Sequence, residues 1–154
     1  MAGRIEQRLA ELGISLPTPA VPIANYVPFT MAGSLLVVSG QIPLRDGTVA
    51  YAGKVSVEVS LDDGKAAARL CFINLLAQVK AATGDLDRVK RVLRLGGFIA
   101  SPAAFTQHAA VMNGASDLAV EVFGDAGRHA RSTIGVPSLP ADAAVEVEGM
   151  FEIG

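Results

Sequence analysis

Val145-Glu146-Val147-Glu148-Gly149-Met150-Phe151-Glu152-Ile153 is the stretch that decides the fold. At a period of two, Val145, Val147, Gly149, Phe151 and Ile153 share one face of a strand. Glu146, Glu148, Met150 and Glu152 share the other. The first face has to pack on helices. The carboxylates of the second require water, cations or a pocket, and an open solvated sheet face would satisfy them as well as a functional one. Fifteen positions before Glu146 stands Arg131, in the turn-rich Ala130-Arg131-Ser132-Thr133-Ile134-Gly135-Val136-Pro137-Ser138-Leu139-Pro140. A guanidinium and a carboxylate brought together at the rim of a sheet can hold a small carboxylate and position a water. An Arg131 ion pair with Glu146 or Glu148 and no ligand is the structural alternative.

Working back from this strand, residues 134–136 read as another short strand. Residues 115–123 read as a helix before Gly124, and Gly114 is expected to break it from a helical region opened by Ser101-Pro102, with proline at the favoured first position. Residues 89–100 alternate in part and contain Gly96-Gly97, which marks a strand with a bulge or a close neighbour. Asp62 and Asp63 open a long helix through about residue 82, with Gly84 at its end. On that helix Lys65, Arg69 and Lys80 form one stripe, and Asn74 and Gln78 fall nearly opposite among apolar neighbours. Such a buried asparagine requires partners, expected from backbone. Residues 35–38 are a short apolar strand left through Ser39-Gly40, and Asp46-Gly47 turns the chain into a returning strand at 48–51. Residues 3–12 form an amphipathic helix closed by Gly13, followed by an extended arm through Pro17, Pro19 and Pro22. The whole describes one α+β domain over 1–154, with 1–20 as N-terminal helix and arm and a mixed sheet carrying helices on one face.

A chain of 154 residues buries a core without metal or disulfides. Cys71 is the single cysteine, which excludes an intramolecular disulfide and a cysteine-based zinc site. Its apolar helical setting marks a core thiol. Hydrophobic residues make up 51%, with 16 glycines and no tryptophan, a balance that points to buried subunit contacts. The net charge of −2 leaves no electrostatic footprint for nucleic acid. Arg88, Lys90, Arg91 and Arg94 form a local basic run that reads as a solvated face. The N-terminal residues are charged and helical in pattern, without the apolar centre of a signal peptide, and no run is long enough to span a bilayer. A soluble, cytoplasmic protein is expected.

Tyr26, then Ser39-Gly40-Gln41-Ile42-Pro43-Leu44, Arg131-Ser132, Leu139-Pro140 and Val145-Glu146-Val147-Glu148 together resemble the RidA/YjgF reactive-intermediate deaminase family, historically the endoribonuclease L-PSP or translation inhibitor proteins. The likeness runs from about residue 20 onward. It implies a chorismate-mutase-like fold and a homotrimer, with sheets lining a central barrel and clefts between subunits. It also implies hydrolysis of 2-enamine and 2-imino acids, such as 2-aminoacrylate and 2-iminopropionate, to 2-oxo acids and ammonia, with no cofactor and no metal. By the same resemblance Arg131 grips the substrate carboxylate, and Glu146 (with Glu148 as the alternative) positions or deprotonates the water. Tyr26 and Ser39 hydrogen-bond the substrate or shape the cleft, and Asn113 and Thr133 belong to the binding residues. Asn113 matches a family asparagine once a small insertion is placed before it. Thr133 stands where many members carry cysteine, so any contact there is made by a hydroxyl. Ala24-Asn25 replaces the usual Gly-Pro before Tyr26. These departures mark a divergent branch. Different classes are a non-catalytic trimeric binder of small carboxylates or 2-oxo acids with a regulatory role, and a ribonuclease. The acidic balance and the few stacking aromatics oppose the latter, although His108 and His129 are present.

Overall fold

A computed structural model describes residues 3–154. Met1 and Ala2, the head of the segment read as lacking a signal peptide and of the 1–154 domain, lie outside the described residues. The chain runs α1 (Arg4–Glu11), β1 (Phe29–Ala32), β2 (Leu35–Gln41), a small hairpin of β3 (Leu44–Arg45) and β4 (Thr48–Val49), α2 (Leu61–Thr83), β5 (Val89–Ala100), α3 (His108–Phe123), β6 (Ala130–Val136) and β7 (Val145–Ile153). Five strands form one sheet in the order β1-β2-β7-β5-β6. Its neighbours are antiparallel except β5 and β6, which run parallel. A parallel pair needs a crossover, and α3 supplies it. This is the expected mixed α+β domain.

Alternation in β7 sets the layers. Val145, Val147 and Phe151 are fully buried beneath α2 with Leu36, Val38 and Leu95. From the helices come Phe72, Leu75, Leu76, Met112 and Leu118. Each such side chain contributes about 1.5–3 kcal/mol on burial. On the other face Glu146, Glu148 and Met150 are half-buried and Glu152 is exposed. Among the described residues the helices pack on the first face, and the arm before β1 borders this one.

α2 is the best-specified helix. Ser60 caps it, its hydroxyl accepting from the Asp63 N–H at 3.1 Å. Asp62 and Asp63 sit where the helix dipole favours negative charge. Gly84 ends it at φ 76° in the left-handed region. Asn74 donates to the carbonyls of Ile42 at 3.0 Å and Leu44 at 3.1 Å, the backbone partners the sequence required. Cys71 is a buried core thiol beside the Val145 carbonyl, and burial holds it far from thiolate formation.

Four expectations need correction. The strand at 35–38 continues to Gln41, its register with β7 shifting between Val38 and Gln41, so Ser39 and Gly40 are a kink rather than an exit. Arg131 lies within β6 and not in a turn, because pairing with β5 overrides the local turn residues. Ser101-Pro102 does not start a helix. Ser101 is tied to the Ile99 carbonyl at 3.2 Å, and the helix begins at His108. Most consequential, α3 runs unbroken through Gly114. A Cβ at that position would collide with the Lys65 carbonyl of α2, so the glycine is there for close helix packing. Gly97 has the same logic. Its missing Cβ leaves room for the Met112 thioether, the close neighbour rather than the bulge, since the β5 register shifts lie between Val89 and Arg94.

Gly114→Ala is expected to destabilise the fold by about 1–3 kcal/mol, as overpacking does, because backbone rather than a flexible side chain must give way. Denaturant unfolding measures it. An unchanged midpoint would contradict the close approach of α2 and α3.

Candidate functional site

Arg131, Thr133 and Gly135 occupy one side of the edge strand β6, in register with Leu95, Gly97 and Ile99 of β5. Leu95 is core, so this side of β6 faces the helices. There α3 presents Ala109, Asn113 and Ser116, spaced to fall on one helix face. Arg131 binds all three. Nη1 donates to Asn113 Oδ1 at 2.9 Å and to Ser116 Oγ at 3.0 Å, and Nη2 donates to the Ala109 carbonyl at 3.4 Å. A guanidinium has five N–H donors. Nε–H and one Nη2 hydrogen are left without a partner among the described residues. Two such donors are what a carboxylate takes in a bidentate pair. Thr133 Oγ1 is buried nearby on the same strand and has no hydrogen-bond partner among the described residues.

His129 closes the cluster. Its Nδ1 lies 2.6 Å from the Gly127 carbonyl and its Nε2 lies 2.8 Å from Ser116 Oγ. Burial lowers its pKa, the Gly127 bond opposes that, and the Arg131 charge lowers it further. Asn113, Ser116, His129, Arg128 and Arg131 line an open hollow of about 270 Å³.

The second cluster lies elsewhere. Glu146 pairs in register with Phe98, three rungs from the Leu95–Gly149 rung that carries Arg131, and projects to the face without helices. The sequence expectation that one chain brings Arg131 and Glu146 together is therefore corrected: alternation and register place them on opposite faces of the sheet. Nor does Arg131 pair with Glu148, whose partner is Arg94 at 3.3 Å. Glu146 shares a small cavity of about 110 Å³ with Tyr26, Gly40, Gln41 and Pro140, roofed by the arm at residues 20–23. Gly40 leaves room there for the Glu146 carboxylate, which a Cβ would push aside. Burial raises the Glu146 carboxyl above its ordinary value, and the Glu148 charge adds to the effect. A neighbouring cleft of about 480 Å³ takes Ser39, Arg94, Glu148 and Met150, and Tyr26 borders both hollows. Ser39 Oγ donates to the Val27 carbonyl at 2.8 Å, which fastens the arm beside Tyr26.

Of the sequence candidates, Arg131, Asn113 and Thr133 thus gather at the β6 edge, and Tyr26, Ser39 and Glu146 gather beneath the arm. Ser116 was missed. A helix broken at Gly114 separates Asn113 from Ser116, whereas a continuous one makes them neighbours three residues apart. The basic run is dispersed. Arg88 bonds the Thr83 and Gly154 carbonyls, Arg91 reaches the Arg128 carbonyl, and Arg94 pairs with Glu148. Among the described residues no helix is long and apolar enough to cross a membrane.

Known proteins share this architecture. Protein TCP17 of Trypanosoma cruzi is 46% identical over 153 residues, 99% of this chain and 96% of that protein. The crystal structure of Atu1372 from Agrobacterium tumefaciens, a protein of unknown function, is 49% identical with a TM-score of 0.92, covering 97% of this chain and 92% of that one. A structure from Shewanella oneidensis described as a "putative endoribonuclease" is 36% identical with a TM-score of 0.95, over 98% and 100% of the two chains. The family model described as "YjgF/chorismate_mutase-like, putative endoribonuclease" matches residues 6–152. This chain belongs to the YjgF/chorismate mutase-like family.

Proposed function

We propose that the protein hydrolyses reactive 2-enamine and 2-imino acids, such as 2-aminoacrylate and 2-iminopropionate, to 2-oxo acids and ammonia. One observation carries the reading: Arg131 is held by three bonds to α3 and keeps two donors for a carboxylate. The site is composite. The β6 edge of one copy, with Arg131, Thr133 and Asn113, lies against the arm of a second copy, with Tyr26 and Glu146. A closed ring of three copies uses each β6 edge and each arm once.

The chemistry follows from these groups. Arg131 holds the substrate carboxylate, and a lysine point charge would not reproduce the planar pair. An enamine first gains a proton at C3 and loses one from nitrogen to become the imine. Glu146 then takes a proton from water as the water oxygen adds to the imine carbon, and passes that proton to the nitrogen. Collapse of the carbinolamine breaks the C–N bond and releases ammonia and the 2-oxo acid. Tyr26 donates a hydrogen bond to the substrate from the mouth of the cavity. General-base assistance of this kind is worth about 10²–10⁴-fold. A ribonuclease reading, suggested by the family's older description, meets the carboxylates of Glu146, Glu148 and Glu152 on the open face, which repel phosphate.

In an assay where an amino-acid dehydratase generates the imine and semicarbazide competes for it, the protein is expected to restore 2-oxo acid formation. Arg131→Ala is expected to abolish the effect and Arg131→Lys to recover only a small part of it. If the wild type leaves imine lifetime unchanged but binds 2-oxo acids, the protein is a carboxylate binder and the catalytic reading fails.

The acid limb of kcat/KM supplies a second test. Glu146 acts ionised and its pKa is raised, so activity should rise with pH through a midpoint above the ordinary glutamate value. Glu148→Gln removes a like charge and is expected to shift that limb to lower pH. A limb that stays in place or moves up would contradict the assignment of Glu146 as base.

A further inference from the structure

Among the polar clusters, the hydrogen-bond chain behind Arg131 has a single self-consistent direction. The Gly127 carbonyl can only accept, so His129 Nδ1 carries the proton in the 2.6 Å bond. In the neutral ring Nε2 is then an acceptor. Ser116 Oγ, 2.8 Å away, must donate its one proton to it. The oxygen of Ser116 is thereby turned to accept from Arg131 Nη1 at 3.0 Å. Each donor meets one acceptor from the guanidinium to the backbone, and the rotor of Ser116 has no second choice. Asn113 Oδ1 takes the other Nη1 hydrogen. A serine bonded to a histidine in this way also suits a nucleophile. Here, however, the hydroxyl oxygen already receives a guanidinium hydrogen, which withdraws the electron density an attack would use.

We infer that Ser116 and His129 are positioning residues that fix the orientation of the Arg131 guanidinium, so that its remaining donors face the substrate carboxylate before the substrate arrives. The inference rests on the carboxylate-binding role proposed for Arg131. Neither residue touches the reacting atoms. Orienting Arg131 in advance lowers the entropy lost when substrate binds, so the effect belongs to affinity rather than to the chemical step. The lowered pKa of His129 agrees, since the ring stays a neutral acceptor near pH 7.

The test compares wild type, Ser116→Ala, Ser116→Thr, His129→Phe and Arg131→Ala in imine clearance, and measures pyruvate affinity for each by calorimetry. Ser116→Ala and His129→Phe are expected to raise KM and the pyruvate Kd about tenfold, the scale of one hydrogen bond to a charged group. Their kcat should stay within about twofold of wild type. Ser116→Thr keeps the hydroxyl and should restore both constants. A merely structural serine would lower kcat and stability together and would not be rescued selectively by threonine. Wild-type KM and Kd in Ser116→Ala would overturn the inference while leaving the deaminase reading intact. If wild type clears no imine, the deaminase reading fails by itself, and the pyruvate constants alone decide: the same tenfold pattern upholds the positioning role, and equal constants or no binding by any variant overturn it.

Discussion

The alternation of β7 is the constraint on which the rest of the molecule depends. This strand lies at the centre of the sheet, between β2 and β5, and its odd-numbered residues close the core against α2. Slipping its register by one residue would carry Val145, Val147 and Phe151 to the open face and three carboxylates into the core. Hydrophobic burial therefore fixes the direction of Glu146 as firmly as it fixes Phe151. The same rule applied to β6 sends Arg131 the other way, toward α3, because its partner Leu95 belongs to the core. Function-bearing side chains are aimed by the packing of their neighbours.

That geometry explains why one chain holds the candidate residues in two separate clusters. Arg131 rests on α3 with donors to spare and a buried hydroxyl, Thr133, unpartnered beside it. Glu146 sits in a small cavity where burial favours its protonated form and Tyr26 stands at the mouth. In the proposed reaction one cluster serves charge recognition and the other proton transfer. The open sheet face carries half-buried Val37, Phe98 and Met150 among its carboxylates, a surface that the proposed trimer would cover. The proposed association of copies through this face and the β6 edge would unite the clusters.

Much of the fold was legible because its signals are strong and local. Ser60, Asp62, Asp63 and Gly84 bound α2 by capping chemistry, and β7 shows its two faces in plain alternation. What stayed hidden depended on contacts distant in sequence. Gly114 reads as a helix breaker until the Lys65 carbonyl is seen pressing against it. The first half of β6, around Arg131, reads as a turn until β5 pairs with it. The candidate site was legible as a set of residues and illegible as an arrangement. Arg131 and Glu146 were found by motif, but their opposite orientations follow from register, and Ser116 disappeared with the broken helix.

The composite site is the central claim, and co-assembly tests it most directly. Arg131→Ala and Glu146→Gln chains, each inactive alone, are to be co-expressed, purified as mixed oligomers and assayed for imine clearance. If each site takes Arg131 from one copy and Glu146 from another, random mixing restores intact sites at about a quarter of the interfaces, and activity returns in that proportion. If both residues act from the same chain, no intact site can form. Mixed oligomers as inactive as their parents would then contradict the account.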